Sequence, residues 1–198
     1  MITPPLGIAV YYANVRNRMR SGDVIAFGGK SRFSRAIKWC TRSPISHVAI
    51  LVQAVMVGRE SGDGHLNMVA ESSTGGVAIR RLSATLDKYD GDVWWLPLSD
   101  NTRVRMDLAK LHEFILTHEG KPYDDWQCLM QPLMENREDF SSFFCSELVG
   151  GALECGGVIG EVNASEVRPI DVCRWALYSG VWQLKGDEKL IPGFNGVG

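Results

Sequence analysis

Phe143-Phe144-Cys145-Ser146-Glu147-Leu148-Val149 places one cysteine where a loop gives way to a helix, and the rest of the chain reads outward from it. Asp139, Ser141 and Ser142 offer N-cap oxygens just upstream, and the run from Glu147 to Glu154 reads helical until Gly156-Gly157 stops it. This pattern predicts Cys145 in the first helical turn. There the unpaired backbone N–H groups and the positive end of the helix dipole favour a thiolate, the nucleophilic form of cysteine. Such a nucleophile needs a base, and the base needs an acceptor to orient its other nitrogen.

Four histidines are available for that role. His65 sits in a glycine-rich loop, and His112 and His118 lie on a long helix, where a surface histidine is inert more often than not. His47 is different. Ser46-His47-Val48-Ala49-Ile50-Leu51-Val52 is a strand of branched residues with the imidazole at its mouth, where the ring can be held. Met68-Val69-Ala70-Glu71-Ser72 is the following strand, and paired beside the His47 strand it brings the Glu71 carboxylate within reach. Taken singly, Cys145 reads as a small buried hydrophobe, His47 as a core histidine and Glu71 as a turn carboxylate. Their order along the chain is what points to chemistry.

Around these segments, Ser21-Gly22-Asp23 is a turn leading into the strand Val24-Ile25-Ala26-Phe27, closed by Gly28-Gly29. Ser31 or Ser34 caps a helix with Phe33, Ile37 and Trp39 or Cys40 on one apolar face. Leu66–Ser72 and Gly76–Leu82 read as an antiparallel pair after a Gly58–Gly64 loop, and Asp92–Leu98 as a further strand. Val104, Leu108, Leu111, Phe114 and Ile115 recur at helical spacing, so Thr102–His118 is expected to be one helix with Gly120 as its stop. Gln127–Asp139 reads as a short helix and loop, Pro169–Tyr178 as a last helix and Val181–Leu184 as a terminal strand. Leu6–Tyr12 fits a strand or a packing arm. The expected fold class is α+β, a mainly antiparallel sheet packed against helices in one domain over 1–198, with a catalytic core at about 21–184 and a C-terminal tail over 185–198.

At 198 residues, 45% hydrophobic and 22% charged, the chain is long enough for one core. A formal net charge of −2 supplies no global field for phosphates, so nucleic acid is not an expected partner. Lys30, Arg32, Arg35, Lys38 and Arg42 read as a solvated helix face. The five cysteines are odd in number and form no CxxC pair, which favours a reducing compartment and weakens both a disulfide framework and a zinc site; no metal or cofactor is expected. Cys40, Cys128 and Cys173 are expected to be core packing, and Cys155, ten residues past Cys145, falls about 280° round the helix and out of its site. The first ten residues lack a basic n-region, and no stretch approaches the ~20 apolar residues of a membrane helix. The expected location is cytoplasmic as synthesised, or a virion or lysis route that needs no signal peptide.

Gly22-Asp23-Val24-Ile25, Ser46-His47-Val48-Ala49-Ile50, Glu71-Ser72 with Gly76-Val77, Gly120-Lys121-Pro122-Tyr123-Asp124 and Phe144-Cys145-Ser146-Glu147-Leu148-Val149, in that order, resemble the circularly permuted NlpC-type papain-like hydrolases. These are the YiiX/YaeF-like proteins, related to the lecithin retinol acyltransferase group. The histidine precedes the cysteine, matching the permuted order, and the resemblance spans roughly Ser21 to Arg174. It implies Cys145 as nucleophile, His47 as base and Glu71 as orienter, and it places Tyr123 near the site. Ser46 and Ser146 are the further substrate-binding candidates. The implied function is a cysteine amidase or peptidase acting through an acyl-enzyme on a small amide, peptide or acyl substrate, such as a peptidoglycan peptide or an acyl-amide, with the oxyanion held by N–H groups at the start of the cysteine helix. The alternatives are a lipid acyltransferase or thioesterase of the same fold, or a binding module such as a phage virion component.

Overall fold

Branched and apolar residues fill β1 (Val24–Gly29) and the first half of β2 (His47–Val55), as strands covered on both faces require. The computed structural model describes residues 8–55, 64–73, 75–121, 140–163 and 167–186. Within them β1 and β2 join β3 (His65–Ser73), β4 (Gly76–Arg81), β5 (Gly91–Leu96) and β6 (Trp182–Lys185) in one six-stranded sheet of order β4-β3-β2-β1-β5-β6. Every pairing is antiparallel. The class is α+β, as the sequence led us to expect.

Strand alternation separates two cores. On one face Val24, Ala26, Val48, Ile50, Ala70, Trp94 and Leu96 pack with Cys145, Val149, Ala152 and Leu153 of α6 (Phe140–Cys155). The same core takes in Leu111 and Ile115 of α5 (Leu108–His118) and Ile170, Val172 and Cys173 of α7 (Pro169–Arg174). On the other face Ile25, Phe27, Ala49, Leu51, Val69, Val93 and Trp95 pack with Met19, Leu184 and α3 (Leu82–Lys88), with Tyr12 and Val15 of α1 (Ile8–Val15) at the margin. Burying a side chain of this size contributes about 1.5–3 kcal/mol, so the two cores hold the sheet in place from both sides.

Several elements differ from the sequence reading. Of the stretch Leu6–Tyr12, expected as a strand or a packing arm, the described part Ile8–Tyr12 is helical, in α1, and Tyr12 packs against the second core. β4 ends at Arg81, one residue short of the expected Leu82, which instead opens the helix α3. The expected single helix Thr102–His118 is two, α4 (Asp100–Arg105) and α5. The break joins a local cap to a distant tie. Met106 is extended, the Asp107 side chain accepts from Lys110 N at 3.1 Å as the N-cap of α5, and Asp107 N donates to Gly156 O at 2.8 Å. The chain is thereby tied to the end of α6 instead of continuing its helix.

α6 also starts earlier than its caps suggested. Ser141 and Ser142 are inside the helix, and Cys145 lies five residues beyond Phe140, past the first turn. Its far end is as expected: Val158 N reaches Leu153 O, Gly157 N reaches Glu154 O, and Gly157 takes φ +68°, the paired bonds of a Schellman stop. A Cβ at Gly151 would come 2.6 Å from Phe114 Cζ, so α5 and α6 meet at a point where only glycine fits.

Candidate active site

His47 opens β2, opposite Phe27 at the end of β1. The β2–β3 ladder stops at Ile50↔Ala70, so His47 and Glu71 both lie just past the last pair, on the face that carries Ala49, Leu51 and Val69. There Nε2 of His47 meets Oε2 of Glu71 at 3.3 Å. The other Glu71 oxygen, Oε1, takes Arg80 Nε of β4 at 3.1 Å. Glu71 stands opposite Ala78, which makes Arg80, two residues on, its diagonal neighbour on the same face.

Cys145 comes from the other core. At the open end of a strand a ring can be approached from both faces, and the cysteine side chain is a hydrogen-bonding and electrostatic partner of His47. Burial is the largest influence on the imidazole and opposes its charge; the negative charge and hydrogen bond of Cys145, and after them Glu71, overcome it and hold His47 up at about 10. Glu71 is pushed up by burial but ends below its ordinary value, through the hydrogen bond and charge of His47 and the charge of Arg80. Cys145 is fully buried, whereas the His47 and Glu71 side chains are 21% and 16% exposed, so the site opens to solvent on their side.

A second ring of residues surrounds this trio. Phe27 packs on His47 with centroids 5.4 Å apart, and Tyr89 packs edge-on against Phe27 at 4.9 Å. The Tyr89 hydroxyl hydrogen-bonds Ser46 and is pushed up to about 12, by burial first and then by the charges of Glu71, Asp92 and Cys145. Ser46 Oγ accepts from Gly29 N at 3.1 Å and donates to Phe27 O at 3.2 Å, so this hydroxyl fastens the β1 exit to the His47 strand. Ser146 is buried and donates to Val167 O. Glu147, two residues beyond Cys145, is buried, has no hydrogen-bond partner at Oε2, and is lifted by burial to about 7.

Of the residues singled out from sequence, the structure brings together Cys145, His47 and Glu71, with Ser46 behind the histidine. Ser146 points to the Val167 backbone instead, and Tyr123 lies outside the described residues, as does Cys128. Sequence reasoning missed Tyr89, Phe27 and Arg80. The signal for Phe27 and Arg80 was the strand register, which sequence does not supply; Tyr89, in the short link between α3 and β5, left none. The expected oxyanion donors also change. With Cys145 beyond the first turn of α6, its own N–H falls in the stretch where helical amides bond the fourth carbonyl back.

Among the described residues no three His, Cys, Asp or Glu side chains group as metal ligands, and no helix is long and apolar enough to cross a membrane. No protein-family model matches the chain, and no curated protein does. Among solved structures the chain is similar to the metalloprotein yiiX from Escherichia coli O157:H7, at 25% identity and a TM-score of 0.45, over 69% of this chain and 66% of that one. The chain thus spans slightly under two thirds of yiiX.

Proposed function

We propose that the chain is a cysteine hydrolase that cleaves an amide of a peptide or acyl substrate, with Cys145 as nucleophile, His47 as acid and base, and Glu71 as the carboxylate that orients the ring. The observation that carries the reading is His47 itself, held by Glu71 at 3.3 Å on Nε2 and partnered with Cys145. With Nε2 engaged, Nδ1 is the nitrogen left to face the sulfur. Structural histidines seldom unite a carboxylate, a cysteine and a partly open ring.

In this mechanism the thiolate attacks the carbonyl carbon and forms the C–S bond while the carbonyl electron pair moves to oxygen. When the C–N bond breaks, His47 gives its proton to the departing amine. The neutral imidazole then takes a proton from water as the oxygen attacks the thioester, and the thiolate leaves. Glu71 stays ionised and holds the ring in one orientation through both steps. An alcohol or amine in place of that water would turn hydrolysis into acyl transfer with the same residues.

The test is site-resolved alkylation by iodoacetamide, followed by mass spectrometry, of the native chain and of His47→Ala. Cys145 is expected to react faster than the exposed Cys40 and Cys155 despite its burial, and to slow by about tenfold or more without His47. Amide turnover should disappear in Cys145→Ala and fall by about 10²–10⁴ in His47→Ala. A Cys145 that stays unlabelled, or reacts at one rate with and without His47, overturns the proposal.

A further inference from the structure

α2 (Arg32–Thr41) joins β1 to β2 and therefore sits at the end of the sheet that carries His47. Its first turn touches the site's outer ring: a Cβ on Gly29 would meet Ser34 Oγ at 2.3 Å and the Tyr89 hydroxyl at 2.9 Å. Ile37 is buried, while Ala36, Trp39 and Cys40 face solvent. The sequence expectation that Trp39 or Cys40 would join the apolar face, and that Cys40 would pack in the core, is thereby corrected. Trp94 and Trp95 are 1% exposed, but Trp39 is 81% exposed.

The outward apolar strip is bordered by cations. Lys30, Arg32, Arg35 and Arg42 are exposed and Lys38 is half-buried, and the sequence has no Asp or Glu between Asp23 and Glu60. Arg32, Arg35, Ala36, Lys38 and Trp39 line an open concavity of about 620 Å³. A local positive field on a chain of net charge −2 selects a partner that meets one face only. An indole standing among arginines and lysines on one side of a helix matches the headgroup layer of an anionic bilayer, where the ring enters the interface and the cations stay in water.

We propose that the α2 face docks the protein on anionic phospholipid bilayers, with the His47 end of the sheet turned toward the lipid. The inference does not depend on the chemistry of Cys145. It gives the chain a reason to keep a large apolar side chain in water beside a cluster of like charges, and it would bring an amphiphilic substrate to the partly exposed His47 edge.

Flotation of the full chain with vesicles tests this, using phosphatidylglycerol mixed with phosphatidylcholine against phosphatidylcholine alone. Binding is expected only to the anionic vesicles and should weaken at high salt. Arg35→Glu with Lys38→Glu should lower partitioning by about tenfold or more, and Trp39→Ala should lower it further. Unchanged thermal melting shows that these surface variants remain folded. Cys145→Ala should bind like the native chain, so failure of the hydrolase reading leaves this result untouched. Equal binding to both vesicle types, indifference to the α2 substitutions, or tighter binding to a single-stranded oligonucleotide than to the anionic vesicles overturns the proposal.

Discussion

Two carboxylates of this chain each hold a basic side chain, in opposite surroundings. Asp23, fully buried, accepts from Arg20 N, Trp95 Nε1 and Leu98 N at 2.9 Å each and pairs with Arg103 through Oδ1. Glu71 sits just past the end of the β2–β3 ladder with His47 on one oxygen and the largely exposed Arg80 on the other. Around Asp23 the donors are mostly backbone and indole N–H groups that cannot leave, and Arg103 also donates to Ser21 O, so the cluster clamps the β1 entrance, the β5 exit and α4 together. Around Glu71 one partner titrates, one is in water, and the ring between carboxylate and sulfur has a face open to solvent. Full enclosure of a charge serves the fold, whereas partial enclosure leaves a proton free to move.

The largest effect is expected at the closed cluster. Asp23→Ala leaves Arg103 without its carboxylate and the Trp95 and Leu98 N–H groups without an acceptor, a loss of about 3–5 kcal/mol. Urea unfolding followed by tryptophan fluorescence reads it directly. A loss below about 1 kcal/mol would mean that water replaces the carboxylate, and the contrast between a sealed cluster and an open one would collapse.

Glu71→Gln is expected to cost less, about 1–2 kcal/mol, and to show a pH profile bounded by both members of the His47–Glu71 contact. Glu71 is lowered from its ordinary 4.5, so its contribution is present above that value and is lost as pH falls. His47 is raised from 6.5 to about 10, so its contribution is complete below 6.5 and is lost as pH rises through about 10. The stability difference between native chain and variant should therefore be greatest between about pH 4.5 and 6.5 and should shrink on both sides. Thermal melting across pH checks this, and a flat difference would remove the charge from the His47–Glu71 contact.

The same contrast explains what sequence could reveal. His47, Glu71 and Cys145 were legible because each stands in a segment that reads as a strand or a helix, and because their order is distinctive. Asp23 was legible only as a turn residue: nothing in Ser21-Gly22-Asp23 says that Trp95, Leu98 and Arg103 converge on it from more than seventy residues away. Arg80 needed the β3–β4 register, and the α4–α5 break needed the tie from Asp107 to Gly156, both long-range pairings that override local spacing. The start of α6 was misplaced because Ser141 and Ser142 suit a cap and also tolerate a helix, and local preference did not decide between them.

Arg80→Ala is the smallest of these effects and the sharpest probe of how Glu71 is shared. Because the Arg80 side chain is 60% exposed, its loss should change stability by less than about 0.5 kcal/mol. Its influence on His47 is a separate matter. Arg80 is a cation drawing on the same carboxylate as the imidazole, so its removal leaves Glu71 wholly to His47 and takes a positive charge from the neighbourhood. Both changes favour the protonated ring. NMR titration of His47 should therefore move upward in Arg80→Ala, with the difference between the two chains shrinking at high salt. A downward movement would mean that Arg80 holds Glu71 in place for the histidine, which would make the arginine a positioning residue and tie the open site more tightly to β4 than its geometry suggests.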